Sequence, residues 1–292
     1  MNWKPLGAKI RAAFHTLKKQ EWIVLGAVGV LVIALALIII LRPGPDPYKS
    51  AEIAIIRDRG ALRIGVREDV PSFGYVDSDG NRLGLEVDLG TLLSKQIFGT
   101  PEVEFTAVNF NTMPAKLRTS QLDGCIALAQ TGMSTSLLYS DPYYTDAVAI
   151  MVLSSSSYSS PSDIAGLTIG CINRDGTNMR YSARNALQSF ANEQNPKCTI
   201  VEYSSSSDMI SDLTNGKLSG VCMEYSLLYS YYSANTHRIL PQAIGTISYS
   251  IALPPSSDAL LEIANEMIRD IRADGTLSSL LEKWSLEDFS SK

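Results

Sequence analysis

The sequence predicts an α/β fold with a mainly parallel sheet, preceded by one N-terminal transmembrane helix. Beyond residue 60, short apolar runs of strand length alternate with longer stretches whose apolar residues recur at helical spacing. Before that point, residues 22–41 form an uncharged apolar run of 20 residues, a length that crosses a bilayer core. With 292 residues, 45% of them hydrophobic and 19% charged, the chain can fold into one or two packed lobes.

The apolar run at 22–41 is predicted to stay in the protein as a membrane anchor, with signal-peptide cleavage as the alternative. A signal-peptide core is usually shorter, roughly 7–15 residues. The run ends in Ile38–Arg42 without a small-residue cleavage site, and no cysteine for a lipid anchor precedes Cys125. Basic side chains dominate residues 1–21, so these are expected in the cytoplasm and residues 43–292 outside.

The part of the chain after the anchor begins with a spacer and is acidic. Residues 42–50 contain Pro43, Pro45 and Pro47, which predict a stiff, extended linker. Residues 43–292 carry 19 basic and 29 acidic side chains, a net charge of about −10. This acidity argues against nucleic acid and against anionic lipid headgroups as binding partners.

Four cysteines lie in this outer part, where disulfides can persist. Disulfide pairing and a role as small buried hydrophobic residues both remain open. The spacing of the cysteines fits no zinc pattern and His237 is the one histidine of this part, so we expect no metal site. The cysteines are Cys125, Cys171, Cys198 and Cys222.

The remaining elements follow from hydrophobic periodicity and turn residues. Asp79-Gly80 predicts a hairpin, and Tyr139–Tyr144, with Pro142, predicts a turn. The serine-rich stretch 154–162 predicts a loop and a lobe boundary. Helices are expected at 49–59, 85–97, 113–121, 178–192, 208–215, 257–273 and 277–284, and strands at 62–66, 103–108, 125–128, 147–153, 167–172, 199–203, 220–224 and 248–253.

The stretch Leu62–Gln96, a strand, an aromatic loop, a hairpin and a helix, resembles the N-terminal signature of family 3 extracellular solute-binding proteins. These are the amino-acid-type receptors of ABC importers. Five further blocks resemble the family in the same order. They are Leu117–Gly124, Tyr139–Tyr143, Asp163–Gly166 leading to Gly176-Thr177, Gly216–Glu224, and Asp274–Leu277 with Lys283-Trp284.

The resemblance implies a two-lobed, type II periplasmic-binding-protein-like fold with a hinge and a ligand cleft between the lobes. Lobe 1 is expected to comprise residues 51–150 plus 248–292, and lobe 2 residues 151–247. The implied partners are a small-molecule solute and the permease subunits of an ABC transporter. The outer part is expected to be monomeric, with no cofactor.

The resemblance also implies ligand contacts on both lobes. Gly176 and Thr177 are expected to offer backbone N–H groups to a ligand oxygen, with an ordinary helix cap as the alternative. Glu224 stands where the family has an acid that accepts an ammonium group, although it could also be a solvated strand-end acid. Asp69 and Phe73, in the loop after the first strand, and Phe110 are further candidate contacts; each aromatic ring could equally be a core residue.

One departure from the family concerns the arginine that grips the ligand carboxylate. Typical members carry Thr-x-x-Arg after the third strand, whereas no lysine or arginine occurs here between Arg118 and Arg174. Gln130 and Thr131 supply hydrogen-bonding groups in that segment but no charge. Arg174, beside the Gly-Thr loop, could substitute from the other lobe, or it could be a solvated loop residue.

Three functions compete on this evidence. The first is a membrane-anchored receptor of an ABC importer that binds an amino acid or related solute. The second is a sensing or scaffold module of the same fold without transport duty. The third is a cyclohexadienyl-dehydratase-like enzyme with Glu224 or Asp69 as the candidate acid. No nucleophile elbow, HExxH, P-loop or other catalytic signature is found, so the sequence predicts no enzyme.

Overall fold

The computed structural model describes residues 30–34, 45–173 and 182–290. The chain divides into two compact units, Met1–Asp46 and Pro47–Lys292. Residues 30–34 are helical, and the rest of the predicted span 22–41 lies outside the described residues, as does the predicted cytoplasmic tail. Among the helices of the described ranges, none combines the length and the apolar character needed to cross a membrane. The anchor therefore stays a prediction.

The unit from Pro47 onward is built on one large sheet and one small hairpin sheet. The strands are β1 (Leu62–Val66), β2 (Asp69–Val70), β3 (Gly74–Val76), β4 (Arg82–Leu83), β5 (Val103–Ala107), β6 (Gly124–Ile126), β7 (Leu138–Leu153), β8 (Thr168–Ile172), β9 (Thr199–Tyr203), β10 (Gly220–Glu224), β11 (His237–Ile239) and β12 (Gly245–Leu253). In the described residues the large sheet has nine strands in the order β5-β1-β6-β12-β7-β10-β8-β9, with β11 beside β7. The small sheet is β2-β3-β4.

The large sheet consists of two parallel halves joined by an antiparallel pair. Strands β5, β1 and β6 run parallel and form what we call the first half. Strands β10, β8 and β9 run parallel and form the second half. Between them lie β7 and β12, which pair with each other in antiparallel fashion; β12 also contacts β6, and β7 contacts β10. The chain thus passes from one half to the other along β7 and returns along β12.

The helices cover this sheet and follow the predicted apolar faces. Helix α2 buries Leu85, Leu89, Leu93 and Ile97, while Leu92 is half-buried. The helices are α1 (Ala51–Arg59), α2 (Leu85–Phe98), α3 (Met113–Arg118), α4 (Ala183–Glu193), α5 (Ser206–Thr214), α6 (Tyr225–Tyr231), α7 (Asp258–Ala273) and α8 (Thr276–Lys283), with 3₁₀ turns at Pro47–Lys49 and Pro161–Ile164.

The join between the hairpin sheet and α2 depends on Gly84. This residue has φ 132°, and a Cβ placed on it would lie 2.1 Å from the backbone oxygen of Phe73. Only glycine has no side chain to collide there and adopts this φ without strain. Two backbone hydrogen bonds, Leu85 N to Ser72 O and Glu86 N to Phe73 O, both 2.9 Å, then fix the loop to the helix start.

The predicted turn at Tyr139–Tyr144 is wrong, because these residues lie inside the long strand β7. Proline lacks a backbone N–H, so it is tolerated in a sheet at irregular positions. Here Pro142 faces Ser250, and the pairing of β7 with β12 shifts on both sides of Ser250. The displaced Ile251 N–H donates instead to the hydroxyl of Ser140 at 2.8 Å. A turn-like sequence therefore continues the strand.

Of the helix predicted at 178–192, the structure describes α4 from Ala183, and residues 178–181 lie outside the described residues. The N-cap of α4 is Ser182, whose hydroxyl accepts from the backbone N–H of Asn185 at 3.3 Å. Helix α6 and strand β11 were not predicted. Helix α6 is a run of tyrosine, serine and leucine in which the polar residues show no helical periodicity. All four cysteines are free thiols; Cys198 is half-buried and the other three are buried.

Candidate functional site

Polar side chains gather where the strands of the two parallel halves end. In open α/β sheets, ligands bind beyond the carboxyl ends of the strands. Arg67 follows β1, Gln130 and Thr131 follow β6, and Glu224 is the last residue of β10. Between them run β7 and β12, which carry Asp146 and Ser250. Both halves therefore face the same central pair of strands.

Arg67 is a charged residue that was not predicted, and it contacts two residues that were predicted. Its Nε and Nη2 donate to the two carboxylate oxygens of Asp69 at 2.8 and 2.7 Å. Its guanidinium carbon lies 5.1 Å from the centre of the Phe110 ring, a cation–π contact. The Arg67 side chain is 7% exposed and that of Asp69 is 69% exposed. The sequence signal that could have identified Arg67 is a basic residue directly after a predicted buried strand.

Gln130 and Thr131 lie next to strand β12. Gln130 is 4% exposed and forms an isolated bridge with Tyr249. Its side-chain Oε1 is buried and has no hydrogen-bond partner among the described residues. The Thr131 hydroxyl lies 2.9 Å from the hydroxyl of Ser250. The segment predicted to supply neutral hydrogen-bonding groups is thus attached to a strand that joins the two halves.

Phe73 packs in an aromatic cluster at the centre of the molecule. Its ring lies 5.4 Å from that of Tyr144 and 6.1 Å from that of Tyr249, both edge to face. The rings of Tyr144 and Tyr249 stack at 6.2 Å. Phe73 is 1% exposed, so in this conformation it is a core residue. Its contact with a ligand stays a prediction.

Glu86 is a buried carboxyl group behind Arg67 that was not predicted. Its Oε1 accepts from the backbone N–H of Leu128 at 2.6 Å and from the Tyr143 hydroxyl at 2.7 Å. These bonds hold the chain that leaves β6, where Leu128 has φ 52°. Burial raises the pKa of Glu86 to about 7, opposed by the two hydrogen bonds and by the charge of Arg67.

Acidic groups lie at the end of β10 in the second half and on the neighbouring strand β7. Glu224 ends β10 and is half-buried at the position before α6. Asp146 of β7 is fully buried and accepts from both the hydroxyl and the backbone N–H of Ser226. The pKa of Asp146 is raised to about 7, mainly by burial; the Ser226 hydrogen bonds lower the pKa and the negative charge of Glu224 raises it.

Three of the predicted contacts cannot be placed. Arg174, Gly176 and Thr177 lie outside the described residues, so their roles stay predictions. The neighbouring Asn173 continues the β8 edge, with its N–H donating to the Tyr203 carbonyl at 3.0 Å. Within the described ranges, no group of histidine, cysteine, aspartate and glutamate side chains is arranged to hold a metal ion.

The two parallel halves, the two connecting strands and the charged strand ends together define a two-lobed α/β protein of the periplasmic-binding-protein class. The family model of the bacterial extracellular solute-binding proteins, family 3, matches residues 62–287. The chain belongs to this family. The resemblance that the sequence motifs indicated is therefore confirmed for family and fold.

Individual relatives agree with this assignment. The ABC transporter arginine-binding protein 1 of Escherichia coli (strain K12) is 27% identical over 236 residues, 76% of this chain and 90% of that protein. The L-cystine-binding protein TcyJ of the same strain is 22% identical over 237 residues, 78% of this chain and 84% of that protein.

A solved structure supports the fold. The ancestral amino acid-binding protein AncCDT-1, a precursor of cyclohexadienyl dehydratase, is similar with a TM-score of 0.63 and 21% identity. The match covers 80% of this chain and 99% of that protein.

Proposed function

We propose that this protein is the solute-binding receptor of an ABC importer, and that it binds an amino acid or a related small polar compound. The observation that carries the proposal is the opposite charge of the strand ends in the two halves. Arg67 directly follows β1 in the first half, and Glu224 is the last residue of β10 in the second. A zwitterionic solute offers a carboxylate and an ammonium group that match this arrangement. The relatives named for arginine and cystine support the same class of solute.

The proposed cleft lies between lobe 1, residues 51–150 plus 248–292, and lobe 2, residues 151–247. From lobe 2, Glu224 accepts the ammonium group, and Arg174 with the backbone at Gly176 and Thr177 receives solute oxygens. From lobe 1, the contacts are Asp69, Phe73, Phe110, Gln130 and Thr131. The half-buried ring of Phe110 under Arg67 and the buried amide of Gln130 support the lobe 1 side.

Strands β7 and β12 serve as the hinge of this receptor, because the chain crosses between the halves along them. A solute that contacts both lobes favours the closed state by the difference between its affinities for the closed and open states. The closed form is then presented to the permease subunits. We further propose that residues 22–41 anchor a monomeric outer part to the membrane, with residues 1–21 in the cytoplasm and 42–50 as a linker.

A sensing or scaffold role is the second candidate, favoured by one observation. No arginine or lysine occurs between Arg118 and Arg174, so the segment after β6 lacks the usual carboxylate clamp. Co-purification of permease subunits with the full chain, or their absence, separates import from sensing. We propose no enzymatic activity, and turnover of prephenate by the purified chain would contradict this.

A thermal-shift screen of the purified full-length chain tests the receptor proposal. The probes are the standard L-amino acids, L-cystine, small amines and organic acids. A solute at 100 times its dissociation constant stabilises the folded state by about 2.7 kcal/mol, which shifts the melting temperature by several degrees. At least one amino acid is expected to produce this shift. The absence of a shift with every probe would contradict the proposal.

A matched pair of variants makes the screen specific to the cleft. Glu224→Gln removes the proposed ammonium acceptor, whereas Glu193→Gln removes an exposed acid at the end of helix α4 in the same lobe. The first variant is expected to reduce the shift and the second to leave it within error. An equal effect of the two variants on the shift would show that the solute does not bind at Glu224.

A further inference from the structure

We infer that Arg67 binds a carboxylate of the solute, so that the solutes of this protein carry a carboxylate facing the end of strand β1. This inference rests on the proposed function, since it names the chemistry that the cleft recognises. Arg67 then supplies the first half with a charged contact to the solute, which the segment after β6 does not provide. The carboxylate can be the α-carboxylate or one on the solute's side chain, and the test below separates the two.

The guanidinium of Arg67 has one edge in use and one edge free. Asp69 occupies the edge formed by Nε and Nη2, with donor–acceptor distances of 2.8 and 2.7 Å. The other edge consists of Nη1 and the second hydrogen of Nη2. Nη1 is buried and has no hydrogen-bond partner in the part of the chain that the structure describes. A carboxylate fits such an edge with two parallel N–H···O bonds.

The existing ion pair does not account for the burial of Arg67. The Arg67 side chain is 7% exposed, whereas that of Asp69 is 69% exposed. Water around the exposed Asp69 carboxylate weakens its electrostatic attraction to Arg67, as in other surface ion pairs. A buried charged donor without a partner is more costly than an unpaired neutral one. An oxyanion at Nη1 removes that cost.

The surroundings of Arg67 fix the plane of its guanidinium. The Phe110 ring covers one face, at 5.1 Å from the guanidinium carbon to the ring centre. The buried Glu86 is close enough for the charge of Arg67 to lower its pKa, although burial raises that pKa to about 7. The orientation of the free guanidinium edge is therefore set before a solute arrives.

A second unpaired atom lies on the neighbouring strand end. Strands β1 and β6 are paired in parallel, with Val66 beside Ile126. Arg67 follows the first strand, and Gln130 follows the second with its buried Oε1 lacking a partner among the described residues. A donor and an acceptor thus stand unsatisfied at adjacent strand ends. Both are covered in this conformation, and opening about β7 and β12 gives a solute access to them.

Paired probes test the inference on the full chain. Affinities are measured by calorimetry near neutral pH for the standard L-amino acids and their α-carboxamides. L-glutamate with L-glutamine and L-aspartate with L-asparagine form the side-chain pairs. Each pair keeps the shape of the probe and replaces one carboxylate by an uncharged amide. The wild type is expected to bind the acid about 10- to 100-fold more tightly in the pair whose carboxylate meets Arg67.

Variants assign this preference to Arg67. Arg67→Gln is expected to remove the preference for the acid, and Arg67→Lys to retain part of it because the charge remains. Arg82→Gln is the matched control, since Arg82 pairs with Glu68 through Nε and Nη2 on the neighbouring strand β4 and is 39% exposed. The control is expected to keep the wild-type preference.

The outcomes separate this inference from the proposed function. Binding of amino acids with an acid-to-amide ratio that Arg67→Gln leaves unchanged overturns the inference alone. The same holds if the wild type itself shows no preference for acids, a result that needs no variant to fold. No binding of any probe overturns the proposed function as well. A crystal structure with a bound amino acid that shows only a water bridging Arg67 and Glu86 also overturns the inference.

Discussion

The two parallel halves of the sheet are built alike but end in opposite charges. In the first half, β1 leads into Arg67, whose guanidinium is buried and anchored by Asp69. In the second half, β10 leads into Glu224, and the neighbouring Asp146 on β7 adds a buried carboxyl group. The same architecture therefore places an arginine, paired with Asp69, at one strand end and carboxyl groups at the other. We therefore assign recognition of the solute to the residues at the strand ends. The architecture that the two halves share determines where these ends lie.

The two halves also differ in how their buried acids are held. Glu86 in the first half accepts hydrogen bonds from Leu128 and Tyr143, and Asp146 accepts from Ser226 of the second half. Glu86 supports the segment after β6, which carries Gln130. Asp146 supports the start of α6, directly after Glu224. Glu86 thus fixes a segment with candidate contacts of the first half, and Asp146, on the connecting strand β7, fixes the segment after Glu224 in the second.

The largest expected effect comes from the aromatic cluster between the halves. Phe73→Ala removes a ring that packs on Tyr144 of β7 and Tyr249 of β12. Truncation of a buried phenylalanine costs about 3–5 kcal/mol of unfolding free energy. Chemical denaturation measures it, with Tyr232→Ala as the control, since Tyr232 is 39% exposed. A loss at Phe73 no larger than that at Tyr232 would show that the cluster does not join the halves.

The next effect is a pH dependence caused by the two buried acids. Unfolded Glu86 has an ordinary pKa near 4.5, and burial raises the folded-state pKa to about 7. Between these values the folded state holds a proton that the unfolded state has released, so stability is full below the lower pKa and falls as pH rises toward 7. The loss for Glu86 is roughly 3 kcal/mol.

Amide variants test this dependence in each half. Glu86→Gln keeps an oxygen that accepts from Leu128 and Tyr143, but it cannot ionise. Denaturation at pH values below and above this window is expected to show a smaller loss of stability for Glu86→Gln, and likewise for Asp146→Asn. A pH dependence equal to that of the wild type in both variants would contradict the role of these acids.

Replacement of the second-half acid has a smaller effect and acts on binding. Glu224→Gln is expected to weaken binding of amino acids by about 10- to 100-fold, because a charge-assisted hydrogen bond to the ammonium group is lost. Calorimetry with each amino acid and its deaminated 2-oxo acid separates this from general damage. The oxo acid has no ammonium group and is expected to bind both proteins equally. An equal loss of affinity for both probes would show that Glu224 does not bind the ammonium group.

The smallest effect is expected at Asp69. Its carboxylate is 69% exposed, so the ion pair with Arg67 contributes about 0–1 kcal/mol to stability. Asp69→Asn is therefore expected to fold nearly as stably as the wild type. Because Asp69 is a proposed solute contact and holds the Arg67 guanidinium through two hydrogen bonds, L-glutamate is expected to bind several-fold more weakly. An unchanged or tighter affinity for L-glutamate would show that Asp69 neither contacts the solute nor positions Arg67.

Much of the fold could be predicted from local patterns. Strand β1, the hairpin at Gly80 and the buried face of α2 follow from apolar spacing and turn residues, which act over a few positions. Strand β7 could not, because the residues that keep Tyr139–Tyr144 extended lie on β12, about a hundred positions further along the chain. Tertiary pairing overrides a turn signal in such cases.

The candidate site was predicted less completely than the fold. Glu224 was placed at its strand end, and Gln130 and Thr131 were placed after β6. Arg67 was missed because the family's arginine follows the third strand and Arg174 was considered as its substitute, whereas Arg67 directly follows β1. Glu86 and Asp146 were missed because sequence shows an acid's position but not its burial. Burial raises the pKa of both, and it depends on residues far away in the chain.

A crystal structure of the full chain with bound L-glutamate tests the comparison of the two halves most directly. We expect a carboxylate of L-glutamate within hydrogen-bonding distance of Nη1 of Arg67 and its ammonium group within hydrogen-bonding distance of Glu224. A bound L-glutamate whose carboxylates contact neither Nη1 nor Nη2 of Arg67, or whose ammonium group lies away from Glu224, would contradict it.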